Sequence, residues 1–577
     1  MSWFTAHICA DPRGFRVLNP LGTVPRTGIP AHLAADMTMD EQYEWHRSFL
    51  RRHRVSRRNF LWGSVAAAMA AGLGSAFGGR GIAYADDAPL AVGGRRVGYG
   101  TDAASQLRFS AQLSRNPGAT KVFLDHGPTP ALGGTLEAEV RNLVTQLPRT
   151  DGGVLSAEQF YVHAPVDDLP GRLPHFYRWR TADGYLSDVL SANTAMPSSR
   201  AALLPFRFTM MGDQGIDDTP GLPAGMPSGA YRNKYGEGDA PSSRNAENIQ
   251  RQIVASNPEF HILAGDICYA DTSHGGGPDW FVPNGKSDND AIDAYNPFVW
   301  DTYLQAIESS AGHVPWMFAT GNHDMEAVYG THGYGGLTAR MDFPDNGPAG
   351  CPSVYSFTYG NVAVLSLDAN EVSWQVRANL GYSGGAQNSW VESTLARYRS
   401  DPNIDFIVCF FHECAYATGI GGASDGGVRG AWAGLFDKYK VDLVLQGHNH
   451  NFERTDPMRG GSPTKPAPDN SIVYPDTDGT VYYVVGGGGA AHGTFAGGDT
   501  YRGNEKPDTF VPESTLWGSD GKETKEAAAW SRVRFSRYSF IRVDVRPGVF
   551  ASEMDVIAVD ENGREFDKVT YRRMVSR

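Results

Sequence analysis

Cysteine is nearly absent from this chain: five occur in 577 residues, and one of them, Cys9, precedes a candidate cleavage site. The other four, Cys268, Cys351, Cys409 and Cys414, are too few to frame a chain this long with disulfides. Cys409 reads as a small buried hydrophobe, and pairing of Cys414 with Cys351 stays open at this point. Positive charge is in deficit as well. The chain carries 51 Lys and Arg against 64 Asp and Glu, a net charge of −13, which argues against a nucleic-acid binder with its basic face. Beyond residue 85 no segment has the length and apolarity of a membrane span. Present in quantity are glycine, with 68, and proline, with 35, as in a loop-rich globular protein. A chain of 577 residues exceeds one ordinary core, so two folded domains are expected.

Residues 1–85 read as an export leader. Ser56-Arg57-Arg58-Asn59-Phe60-Leu61 has the twin-arginine pattern, and Arg51, Arg52 and Arg54 precede it. A weakly apolar Ala/Gly stretch follows from Leu61 to Gly79, and Ala83-Tyr84-Ala85 gives a small-residue cleavage signal before Asp86. The stretch is too feebly hydrophobic and too often broken by glycine to make a good anchor. The expected partner is the twin-arginine export machinery, and the expected location is outside the cytoplasm, with no stable membrane anchor after cleavage.

Residues 86–199 show short alternating runs with turn punctuation: Gln106 to Leu113, Lys121 to Leu124, Gln159 to Val162 and His175 to Trp179. Regular short strands without helical periodicity predict a β-sandwich. His163 and His175 read there as structural or surface histidines. Residues 200–577 change character, because strand and helix patterns alternate. Predicted strands Phe206–Met211, Phe260–Ala264, Val314–Ala319 and Phe406–Phe411 are interleaved with helices near Ala246–Ser256, Asn296–Ser309, Asn388–Tyr398 and Trp432–Tyr439. Ser243 or Asn245 is a candidate cap for the first helix, and Ser356 to Leu367 resembles a hairpin. The fold class is therefore α/β, with sites expected at strand C-terminal ends.

Those ends carry the chemistry. The stretch Val441–Pro457, VDLVLQGHNHNFERTDP, is an apolar strand broken by Gly447 and followed by His448 and His450 on a turn. Asp213, Asp266, Tyr269, Asn322 and His412 each follow another predicted strand. One such residue is a capping Asn or a Gly-Asp turn; metal-suited residues at five strand ends together point to ligation. Carboxylate, phenolate, amide and imidazole donors suit two hard-to-borderline cations, and one carboxylate can bridge both.

Five blocks carry a wider resemblance: Gly212-Asp213-Gln214-Gly215, Gly265-Asp266-Ile267-Cys268-Tyr269, Gly321-Asn322-His323-Asp324, Phe410-Phe411-His412 and Gly447-His448-Asn449-His450. In order and spacing they resemble the motifs of the purple acid phosphatases, within the calcineurin-like metallophosphoesterases. The resemblance implies a two-sheet αββα sandwich preceded by a fibronectin-III-like β-sandwich, and an exported enzyme hydrolysing small phosphate monoesters through a metal-bound hydroxide. Family roles would place Fe(III) on Asp213, Tyr269 and His450. A divalent ion (Fe, Zn or Mn) would sit on Asn322, His412 and His448, with Asp266 bridging and His323 acting on phosphate or leaving group. Two positions depart from the pattern. Cys409 replaces a usual Val, and no further histidine lies between His412 and His448, leaving Glu413, Tyr416, Asp425 or Arg429 to fill that space. A phosphodiesterase or a secreted alkaline phosphatase on the same fold is the alternative. A non-enzymatic binding protein is disfavoured by the complete ligand set.

Overall fold

The computed structural model describes residues 89–148, 154–199, 203–216, 245–270, 295–326, 329–330, 332–419, 423–490, 495 and 513–575. The leader expected at 1–85 lies outside them. From residue 89 to 199 the described chain forms two four-stranded antiparallel sheets. One joins Val92–Tyr99, Leu107–Leu113, Val154–Val166 and Glu139–Pro148; the other joins Gly134–Glu137, Val122–Gly127, Pro174–Thr181 and Leu190–Asn193. Phe109 from the first meets Tyr177 from the second, with ring centroids 4.4 Å apart.

The remainder is built on two seven-stranded sheets packed face to face. Phe206–Met211, Phe260–Ala264 and Trp316–Ala319 run parallel in one; Val362–Ser366, Phe406–Phe411, Leu443–Gln446 and Val481–Val485 run parallel in the other. Strand periodicity sorts their side chains. Phe208, Met210, Ile262 and Ala264 face inward, against Val408, Phe410, Leu445 and Tyr483. Met211 and Leu263 face outward and are covered by Ile249, Ile253, Tyr303 and Ile307 of the helices Asn245–Ser256 and Phe298–Ala311. On the other side Ile407, Cys409 and Phe411 lie beneath Leu395, Trp432 and Phe436 of the helices Ala386–Ser400 and Gly426–Tyr439. The layers are thus helix, sheet, sheet, helix. Strands covered on both faces explain the unbroken apolar runs.

Some boundaries differ from the sequence expectation. The first helix begins at Asn245 itself, and Ser243 lies outside the described residues. The strand before His448 spans Leu443–Gln446 rather than Val441 to Leu445, because Asp442 leaves the pattern to bind the Ile407 N–H at 2.8 Å and the Arg399 guanidinium at 3.0 Å. The helix expected from Trp432 begins at Gly426, where the Asp425 carboxylate caps the Gly427 and Val428 N–H groups. Glycine at 426, 427 and 430 masked those turns in the sequence. The tight packing explains two of the three, because a Cβ on Gly427 would lie 2.0 Å from the Val372 carbonyl oxygen and one on Gly426 would strike Trp374. Among the described residues no helix is long and apolar enough to cross a membrane. Cys268, Cys351, Cys409 and Cys414 are all buried and free, so Cys351 and Cys414 are not paired.

The two halves meet across a polar seam. His163 is buried there, 2.9 Å from Ser110 Oγ, 2.9 Å from the Ala339 carbonyl oxygen and 3.2 Å from Asp342 Oδ2, which is a structural role. Beside it, Arg340 donates to both Glu326 oxygens (2.9 and 2.7 Å), to Tyr295 Oη (3.2 Å) and to Tyr161 Oη (3.3 Å) of the first half. Glu326 also accepts from Trp300 Nε1 at 2.5 Å. Both charged groups are buried, so the cost of removing one is dominated by the uncompensated charge left behind. Glu326→Ala is expected to lower the unfolding free energy by about 3–5 kcal/mol, measured by chemical denaturation of the full chain.

Candidate metal centre

Both parallel sets of strands point their C-terminal ends to one edge of the sandwich, and every predicted ligand leaves one of those ends. Met211 leads to Asp213, Ala264 to Asp266, Ala319 to Asn322, Phe411 to His412 and Gln446 to His448. The turns are sharp. Asp213, Asp266, Tyr269 and His448 all hold left-handed backbone, with φ of 57°, 49°, 57° and 67°. Such conformations in residues with a Cβ cost on the order of 1–3 kcal/mol each and persist where surrounding structure imposes them. Gly321 shows how close the approach is. Its φ of −106° strains no residue, yet a Cβ there would lie 2.3 Å from Asp266 Oδ1.

Two groups of donor atoms result. In the first, Tyr269 Oη lies 3.1 Å from Asp213 Oδ1 and 2.8 Å from His450 Nε2, while His450 Nε2 is 3.3 Å from Asp213 Oδ1. Ligand atoms of Asp213, Asp266 and His450 all fall within 4.8 Å of one another. In the second, His448 Nδ1 faces Asn322 Oδ1 at 3.1 Å and His412 Nε2 at 3.3 Å. Asp266 stands between the groups, with Oδ2 3.2 Å from His412 Nε2 and Oδ1 accepting the His323 backbone N–H at 2.9 Å. Asp213 Oδ2 accepts the His448 backbone N–H at 2.8 Å. The structure therefore brings all seven predicted ligands together. His323 sits at the rim, 7% exposed, with Nε2 4.0 Å from Asp266 Oδ2 and its ring centroid 4.9 Å from that of Tyr269.

The chemistry of this donor set asks for positive charge. His412 Nδ1 is 2.8 Å from the Ala264 carbonyl oxygen, which can only accept, so Nδ1 carries hydrogen and Nε2 presents its lone pair. That lone pair meets the donor atoms of His448 and Asp266. Without a cation, protons fill the role. Burial favours neutral His412, but the Asp266 and Asp213 carboxylates hold its pKa well above the usual imidazole range. Burial, with His412 alongside, pushes His448 down to about 3. Burial also opposes ionisation of Asp266, yet His412 and His323 hold its carboxyl below the ordinary range. Two carboxylates, a phenol, an amide oxygen and three imidazoles with directed lone pairs fit a pair of cations.

Sequence reasoning did not assign every residue that shapes the centre. Asp324 is buried and accepts from the Gly321 and Ile267 N–H groups (2.8 and 3.0 Å), tying together the turns of Asn322 and Asp266. Burial, then Asp266, pushes it up to about 8. Its place in the Gly321-Asn322-His323-Asp324 block was the available signal. Gln375, with Oε1 3.1 Å from His448 Nε2, carried no signal at all. Three of the four residues expected in place of a further histidine have other occupations. Asp425 caps a helix, Arg429 pairs with Glu526 at 2.6 Å, and Tyr416 lies beneath the Arg429 guanidinium at 4.1 Å. Glu413 is buried without a hydrogen-bond partner for either oxygen, and burial pushes it up to about 8.

Residues 207–452 match the calcineurin-like phosphoesterase family, a span that holds all seven ligands and His323. A Mycobacterium tuberculosis protein, Uncharacterized protein Rv2577, is 31% identical over 86% of this chain and 90% of its own length. The Arabidopsis thaliana protein named Probable inactive purple acid phosphatase 1 is 27% identical over 46% of this chain and 39% of its own. The solved structure of purple acid phosphatase PPD1 from yellow lupin superposes with a TM-score of 0.59 at 19% identity, covering 84% of this chain and 75% of that one; it shows a shared fold. The chain belongs to the family of the mycobacterial protein, and it carries a calcineurin-like phosphoesterase domain at residues 207–452.

Proposed function

We propose that the protein is an exported acid phosphatase of the purple type, hydrolysing small phosphate monoesters at a dinuclear centre. The observation that supports it is the convergence of Asp213, Asp266, Tyr269, Asn322, His412, His448 and His450, with a phenol inside one of the two donor groups. Asp213, Tyr269 and His450 would hold Fe(III), while Asn322, His412 and His448 would hold a divalent Fe, Zn or Mn ion, with Asp266 shared. When bound, such a pair lowers the pKa of water and neutralises phosphoryl oxygens. The protein's own groups do the rest. Asp266 spans both positions and fixes the His323 backbone through its N–H. His323 Nε2 then reaches the rim, where it donates to a phosphoryl oxygen or protonates the leaving alkoxide. The completeness of the set is the reason for reading the chain as active. The chain is proposed to divide into an export leader at 1–85, a fibronectin-like β-sandwich at 86–199 and a catalytic domain at 200–577.

Tyr269 tests the metal assignment. A phenolate on Fe(III) absorbs visible light, and a trivalent cation would deprotonate the phenol well below its free pKa of about 10. Iron-loaded wild type is expected to show the band and Tyr269→Phe to lose it while keeping the fold. Rates on monoester and diester substrates across pH decide between this reading and a phosphodiesterase or alkaline phosphatase. Faster turnover of diesters, or a wild type without the band, would shift the assignment to those alternatives.

Export is tested separately. Arg57→Lys with Arg58→Lys is expected to leave the protein folded but retained in the cytoplasm, because the pair is read by the transporter. Fractionation that still finds the double variant outside, with its N-terminus at Asp86, would remove the twin-arginine reading.

A further inference from the structure

Gln375 lies in no motif, and no ligand role was expected of it, yet its side chain meets the outer nitrogen of His448. The two histidines of the second donor group present different atoms. His412 offers Nε2, and its Nδ1–H is fixed by the Ala264 carbonyl, part of a sheet strand. His448 offers Nδ1, 3.1 Å from Asn322 Oδ1 and 3.3 Å from His412 Nε2. A neutral imidazole that presents Nδ1 as a lone pair must carry its hydrogen on Nε2, and that hydrogen needs an acceptor. Gln375 Oε1, 3.1 Å from Nε2, is that acceptor.

The loop carrying Gln375 is held in turn. The Asp425 carboxylate accepts the Trp374 N–H at 3.0 Å, the Gln375 N–H at 3.0 Å and the Ser373 hydroxyl at 2.6 Å. The same carboxylate caps Gly427 and Val428 at the start of the helix Gly426–Tyr439, at 2.8 and 3.1 Å. Asp425 is fully buried, so none of these bonds is exchanged for water at little cost. One carboxylate therefore clamps the Gln375 loop to a helix N-terminus.

We propose that Gln375 is a positioning residue for the divalent-metal half of the centre: it holds hydrogen on His448 Nε2 and so directs the Nδ1 lone pair towards Asn322 and His412, with Asp425 fixing the loop that delivers it. This rests on the metal reading above and extends it to a residue outside the ligand set. Gln375 touches no substrate in this role, and it acts only through His448.

Two measurements on the full chain test it. The first is ¹⁵N NMR of the histidine-labelled, metal-free protein. Wild type is expected to hold the His448 hydrogen on Nε2, Gln375→Glu to keep it there, and Gln375→Leu to release it to both nitrogens. The second is titration with zinc or manganese after loading with iron. Gln375→Leu is expected to weaken the divalent ion roughly 10- to 100-fold, the usual effect of losing a partner behind a ligand, while iron and the visible band stay. Gln375→Glu, which keeps an oxygen acceptor, is expected to bind within about threefold of wild type, a span of under 1 kcal/mol. Divalent binding indifferent to Gln375→Leu, or a Glu variant as weak as Leu, would overturn this inference alone. A wild type that takes up neither ion would overturn the metal reading and this inference with it.

Discussion

Asp266→Asn is expected to deplete metal at both positions and to cut phosphoester turnover by at least roughly a hundredfold. Asp266 stands between the two donor groups. Its Oδ2 lies 3.2 Å from His412 Nε2, and its Oδ1 takes the His323 N–H at 2.9 Å. An amide of the same shape preserves packing but removes the charge that offsets two cations, and it turns one acceptor into a donor facing an imidazole. The neighbours predict that the fold survives, because Asp266 is held by turns that Asp324 also ties together. Elemental analysis and circular dichroism of the variant, alongside turnover, check all three parts. A variant that keeps both ions and loses only activity would mean that Asp266 is not shared.

His323→Ala should behave in the opposite way: metal retained, turnover reduced by about a hundredfold to a thousandfold. The two effects separate because the backbone and side chain of His323 do different things. Its backbone N–H supports Asp266 and is kept by alanine. Its imidazole lies 4.0 Å from Asp266 Oδ2 and reaches the rim, at 7% exposure the outermost part of the Asn322 turn. The loss should be smaller for substrates with good leaving groups, which need no proton. Metal loss in His323→Ala comparable to that of a ligand variant would contradict this role, and equal losses for good and poor leaving groups would place His323 on the phosphoryl oxygens instead.

Much of the layered core was legible in the sequence for one physical reason. Parallel strands covered on both faces read as continuous apolar runs, and Phe260–Ala264 and Phe406–Phe411 have little else in them. The ligands were legible because each follows such a run on a turn with glycine or another metal-suited residue. What escaped was whatever depends on approach between distant segments. The first turns of the helix Gly426–Tyr439 were hidden by glycines that exist to admit Trp374 and the Val372 carbonyl. Asp425 was a candidate for the site because it lies between His412 and His448, where no further histidine occurs; its hydrogen bonds show that it clamps a loop instead. Gln375 had no local signal, since its partner His448 is 73 residues away. Asp442 shortened a predicted strand by answering Arg399 and Arg573, pairings that no local pattern encodes.

Whether the seven converging side chains hold two metal ions is tested most directly by the metal-to-protein ratio. Elemental analysis of the full chain, purified without chelators and equilibrated with iron and zinc salts, is predicted to give two metal atoms per chain, one of them iron. A ratio of one or less per chain, in protein that is folded by circular dichroism, would contradict the account.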